Sequence, residues 1–254
     1  MRLNDFPTEI VNAVRHRPWP LPAQPWIMKQ SWHDLLFAHW PVPLGAMRAR
    51  VPPGLEIDTF DGAAWLGVIP FHMTNVAPRA VPALPWVSAF PELNVRTYVT
   101  CEGKPGVYFF SLDAANPLAV AVARAMFHLP YFPADMHVAA HGSRIDYKSR
   151  RRRGHRAEFT ARYGPTGPVF NAVPGTLEYF LTERYCLYSV DDARRLRRLE
   201  IHHPPWPLQA AEAHIEANTM TDASGIGLPS AAPLLHFAER QDTLAWPPTA
   251  IRDS

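Results

Sequence analysis

Proline interrupts this chain so often that a long helix has almost nowhere to form. There are 28 prolines among 254 residues, about twice the usual share. Each one removes a backbone donor and clashes with the helical turn before it. From Pro18 to Pro25 the density excludes regular structure, which predicts an extended arm over 1–25 and a single β-rich domain over 26–254. Such an arm packs on a neighbouring subunit of a homo-oligomer or over its own domain.

The pieces between prolines read mostly as strands: 55–60, then 63–73 after an Asp61-Gly62 turn, and further on 136–140, 144–148, 155–163, 184–190, 199–203, 209–216 and 234–237. Short helices are predicted over 42–50, closed by Pro52-Pro53-Gly54, and over 176–181. The best helix spans 116–128: Asn116 caps it, Pro117 suits its first position, and Leu118, Val122, Ala125 and Met126 form a stripe. Many short strands with a few short helices define an α+β fold built on an antiparallel barrel or sandwich.

The stretch 90–113 carries the strongest functional signal. Read as a strand, Glu92, Asn94, Arg96, Tyr98 and Thr100 share one face. With 102–106 as a five-residue loop, Tyr98 falls opposite Phe110 and Thr100 opposite Tyr108, which sets acid, amide and guanidinium among rings. A pocket wall looks like this, mostly apolar with a few placed polar groups. The candidate ligand-binding set is therefore Asn94, Arg96, Tyr98, Tyr108 and Phe110, with Glu92 as catalytic acid or base. A one-residue slip exchanges the faces of the second strand. Glu92 and Arg96 are equally readable as a buried ion pair fixing strand order. Glu183 and Tyr185 share a face if 183–185 is a strand, and join the set with Tyr147; Arg184 points away and is given a pairing role.

Charge and cysteine content narrow the class. A net charge of +2 does not mark a nucleic-acid binder. The run Lys148-Ser149-Arg150-Arg151-Arg152-Arg153-Gly154-His155-Arg156 attracts phosphate but lacks interleaved aromatics, so a solvated hairpin tip is the leading reading and an anionic partner the lesser one. The group Arg194, Arg195, Arg197 and Arg198 could extend that patch. Cys101 and Cys186 belong to no paired motif and read as thiols in a reducing compartment. No secretory signal opens the chain and no apolar run approaches a membrane span, so a cytoplasmic protein without a membrane partner is expected. Histidines 137 and 141 stand about 13 Å apart on a strand, too far for one ion, and no metal or cofactor is expected.

Several motifs, in order, resemble a known family. These are His39-Trp40-Pro41-Val42-Pro43, Pro53-Gly54-Leu55-Glu56, Trp65-Leu66-Gly67, Glu92-Leu93-Asn94-Val95-Arg96-Thr97-Tyr98-Val99, Gly106-Val107-Tyr108-Phe109, Glu183-Arg184-Tyr185 and His203-Pro204-Pro205-Trp206. From about Trp32 to Trp246 the chain resembles the YqjF-like family of uncharacterised proteins, related to the acetoacetate decarboxylase-like fold. The resemblance implies a central pocket with a glutamate matching Glu92. It also implies a Schiff-base lysine after an aromatic-proline pair, and the matching segment, Tyr131-Phe132-Pro133-Ala134-Asp135, has none. The expected function is small-molecule binding, with an enzyme acting on a carboxylate- or carbonyl-containing metabolite as the leading reading. A non-catalytic ligand-binding or oligomeric scaffold protein is the alternative.

Overall fold

A computed structural model describes residues 6–83 and 88–251, with the side chains of Phe6 and Val122, the latter part of the predicted stripe, outside the described set. The longest strands are those whose residues are buried on both faces. β1 (Met28–Val42) is buried almost continuously from Leu35 to Trp40, and β3 (Ala64–Pro78) from Leu66 to Phe71. Such runs need cover on each side. Around them lie β2 (Glu56–Ile57), β4 (Phe90–Cys101), β5 (Lys104–Ala114), β6 (Tyr131–His141), β7 (Arg144–Arg151), β8 (Glu158–Pro165), β9 (Cys186–Val190), β10 (Leu196–His202), β11 (Gln209–Asn218), β12 (Leu234–Ala245) and β13 (Thr249–Ala250). The helices are short: α1 (Phe6–Asn12), α2 (Leu44–Arg48), α3 (Pro117–Phe127) and α4 (Leu177–Thr182). The chain is mostly β-sheet.

Strand order is β13-β10-β9-β5-β6-β7-β8-β11-β12-β1-β3-β4-β2, with further pairings of β5 with β4 and of β10 with β12. Most pairs are antiparallel, but β5 runs parallel to β6 and to β9, which corrects the all-antiparallel expectation. For β6 the cause lies in α3, a crossover between the two strands that returns the chain in the same direction. α3 starts as predicted: the Asn116 side chain accepts from the amides of Leu118 and Ala119, with Pro117 at the first position.

The β4–β5 hairpin departs from expectation. Its turn is two residues, Glu102-Gly103, both at positive φ (51° and 70°), with Cys101 paired to Lys104. Tyr98 therefore faces Val107 rather than Phe110, and Thr97 faces Tyr108. An irregularity between Val95 and Arg96 then restores the predicted parity, so Asn94 opposes Leu112. Gly106 lies inside β5 because a Cβ there would come within 2.5 Å of the Cys186 carbonyl oxygen.

The largest core cluster gathers Tyr147, Phe159 and Tyr163 with Leu36, Leu66 and Val95. A second cluster and a third, around Phe71 and around Phe109, flank a cavity instead. The N-terminal segment packs over this same chain, where Ile10 meets Leu244 and Trp246. Arg17 anchors it, donating to the Ile201 carbonyl at 2.6 Å and pairing with Glu200 at 2.5 Å.

Candidate functional site

The alternation of β4 sends Phe90, Glu92, Asn94 and Arg96 into one cavity of about 340 Å³. β1 and β3 wall it on one side through Trp32, Ile69 and Phe71. α3 lies along another side through Ala119, Ala123 and Phe127. The lining is mainly hydrocarbon and aromatic, so the few polar groups on it stand in a poorly solvating environment.

Glu92 is 3% exposed. Burial pushes its carboxyl up to about 8; the Tyr131 hydroxyl opposes this, and the charge of Asp113 adds to it. At neutral pH the group is mainly a neutral acid. Tyr131, at the start of β6, donates to Oε2 at 2.9 Å, and its own hydroxyl is held well above the usual phenol range by burial and by Glu92. From behind, Tyr147 of β7 donates to the Glu92 carbonyl at 2.7 Å and to that of Phe71 at 3.3 Å. Tyr147 thus fixes the peptide that carries the acid and does not line the cavity.

About 13 Å along the strand from Glu92, Arg96 donates to the Leu181 carbonyl at 3.3 Å and lies over the rings of Phe37 and Tyr98. Among the described residues no carboxylate comes within ion-pair distance of it. Arg96 Nε, Asn94 Oδ1 and Trp206 Nε1, all on lining residues, are buried without a hydrogen-bond partner. Buried polar atoms in folded proteins are rarely left so. The reading of Glu92 and Arg96 as a mutual ion pair is not what the structure holds, since Glu92 bonds to Tyr131.

The remaining predicted residues are distributed differently. Tyr98 is fully buried beside the cavity and hydrogen-bonds His39 Nε2 at 2.6 Å, but does not line it. Tyr108 and Phe110 lie on the opposite hairpin face against the main core, because the shorter turn shifts the register by three residues, an odd number that exchanges the faces. Residues 183–185 are not a strand; Glu183 caps α4. Its carboxylate accepts from the Tyr185 hydroxyl at 2.5 Å and from the Trp206 amide at 2.9 Å, and Tyr185 stacks on His203 at 4.7 Å. This network sits behind the cavity and presents His203 and Trp206 to it. Arg184 was expected to point away but lines the cavity, and it pairs with Asp58 at 2.6 Å as expected of a pairing residue.

Sequence reasoning missed Tyr131, Arg184 and His203 as wall residues. Tyr131 did carry a signal, as the first residue of the segment where a lysine was sought. Among the described residues no lysine lines the cavity: Lys104 pairs with Glu200 at 2.6 Å, Lys148 is exposed and Lys29 stands on β1 away from it. The basic run is not wholly solvated, since Arg151 is buried in an ion pair with Asp113 at 2.6 Å, and Arg152 pairs with Asp135 at 2.5 Å. No helix among the described residues is long and apolar enough to cross a membrane.

Comparison with known proteins is informative at two levels. Residues 29–242 match the profile of the DUF2071 family, described as an uncharacterized conserved protein. The chain is 54% identical over 222 residues to the uncharacterized protein YqjF of Bacillus subtilis (strain 168), which covers 87% of this chain and 91% of that one. Among solved structures, the enduracididine biosynthesis enzyme MppR complexed with pyruvate is similar with a TM-score of 0.62 at 13% identity, covering 94% of this chain and 95% of MppR. An acetoacetate decarboxylase is similar with a TM-score of 0.62 at 14% identity, covering 96% and 98%. At such identities the likeness concerns the fold.

Proposed function

Because the chain belongs to the DUF2071 family and has an acetoacetate decarboxylase-like fold, we propose that it binds a carboxylate- or carbonyl-bearing metabolite and acts on it with Glu92 as acid or base and Arg96 as anion anchor, without a lysine imine. The observation that carries this reading is the buried Glu92 carboxyl, held near 8 on the wall of a cavity lined mainly by apolar side chains. A neutral carboxyl can donate its proton to a developing oxyanion and, once ionised, take one back. Arg96, with Asn94 beside it, supplies charge and an amide for the ligand's polar end. The pyruvate held by MppR is a ligand of this chemical kind.

The strand pairings that run from β5 through β6, β7, β8, β11, β12, β1 and β3 to β4 and back to β5 support reading the sheet as a barrel around this cavity. Two free thiols fit a reducing compartment such as the cytoplasm. The test is a thermal-shift screen of keto acids, hydroxy acids and sugars on the wild type, Glu92→Gln and Arg96→Gln. A ligand found in this way is expected to lose its shift in both variants while each keeps a cooperative melt. Unchanged affinity in Glu92→Gln overturns the role of the acid.

A further inference from the structure

The cavity wall is far more apolar than a three- or four-carbon keto acid needs. Along β4, Arg96 and Phe90 stand about 20 Å apart, with Glu92 between them. Beyond Glu92 the lining continues through Phe90, Met73, Val76, Pro78 and Met28 without a charged group. At the opposite end one cation is uncompensated, because Asp58 neutralises Arg184 while no carboxylate among the described residues meets Arg96. Leu118 and Met126 of α3 line the same space although they are 56% and 51% exposed. Apolar side chains half in water and half in a cavity describe its mouth.

Resting on the reading above, we propose that the ligand is an amphipathic monocarboxylic acid whose head meets Arg96 and whose tail, a chain or ring system of about eight carbons, runs past Glu92 along α3. The size follows from volume: 340 Å³ accommodates about eleven groups the size of a water molecule, of which the head takes three. A keto or hydroxy group near the head falls to Glu92 and Tyr131. The wall residues that set tail length are Ala119 and Ala123, whose small side chains leave the space beside the helix open.

The experiment is isothermal titration with straight-chain carboxylates from butanoate to tetradecanoate, their 2-oxo counterparts and alcohols of equal length. Affinity is expected to rise about fourfold per methylene, levelling near octanoate to decanoate. Alcohols should bind at least tenfold more weakly, a gap that closes in Arg96→Gln. Ala123→Phe should bring the plateau two or three carbons earlier, and Ala119→Leu provides a gentler version of the same test if Ala123→Phe does not fold. Short oxo acids that bind through Arg96 with no gain from added methylenes would sink the tail and leave the proposed function standing. Alcohols that bind as well as acids would remove the acidic head and the anchor together. A length profile unchanged in both alanine variants overturns the assignment of the tail to α3.

Discussion

Glu92 holds its proton because the alternative, a carboxylate facing apolar walls, is unfavourable, and that has a measurable consequence. Its folded value near 8 lies above the ordinary 4.5, so between these limits the unfolded chain has released the proton and the folded chain has not. The contribution to stability is full below about pH 4.5 and declines by about 1.4 kcal/mol per pH unit until pH 8. Glu92→Gln removes that slope. Urea midpoints from pH 5 to 8 should show the variant gaining on the wild type as pH rises; parallel curves would mean an ordinary acid. Tyr147→Phe should cost about 1–3 kcal/mol by leaving two carbonyls without their donor, read as a lower urea midpoint. At this scale much of the site was legible, since Glu92, Asn94 and Arg96 follow from strand alternation alone. Arg184 was not, because it arrives from the α4–β9 connection and contact across such a separation leaves no local trace in sequence; Tyr131, arriving from β6, showed only as the first residue of the segment that matches the expected lysine position.

The hairpin shows why element-level reading failed where it did. Pro105-Gly106 resembles loop chemistry, yet Pro105 pairs with Thr100 inside the ladder and Gly106 is small because the start of β9, which pairs in parallel with β5, lies close to it. The actual turn contains Glu102 at φ 51°, a conformation that residue identity does not announce. Two substitutions separate these roles. Gly103→Ala, at positive φ with open space around it, should cost about 1–2 kcal/mol through backbone strain alone. Gly106→Ala forces a methyl group against the Cys186 backbone and should cost more, since strand and neighbour must separate. Equal losses in denaturant titrations would contradict that distinction. By contrast, α3 was placed to within a residue, because Asn116 and Pro117 are start signals that act locally.

For the molecule as a whole, folding neutralises much of the charge that the sequence presents in blocks. Arg151 and Arg152 pair with Asp113 and Asp135, Arg195 and Arg197 share Asp191, and Arg198 meets Glu102. A phosphate-bearing partner would thus meet fewer free cations than the two arginine groups imply. The same global placement keeps lysine away from the cavity, so borohydride added with pyruvate or acetoacetate should leave the protein at its unmodified mass; a stable adduct on any lysine would restore imine chemistry. One further consequence concerns α3. It is a continuous excursion whose two ends rest on strands that pair with each other, β5 at Leu112–Ala114 and β6 at Tyr131–Pro133. If the proposed ligand holds, its preference can therefore drift, or be engineered, by exchanging one uninterrupted cassette of sequence while Glu92, the proposed acid, stays on a scaffold that need not change.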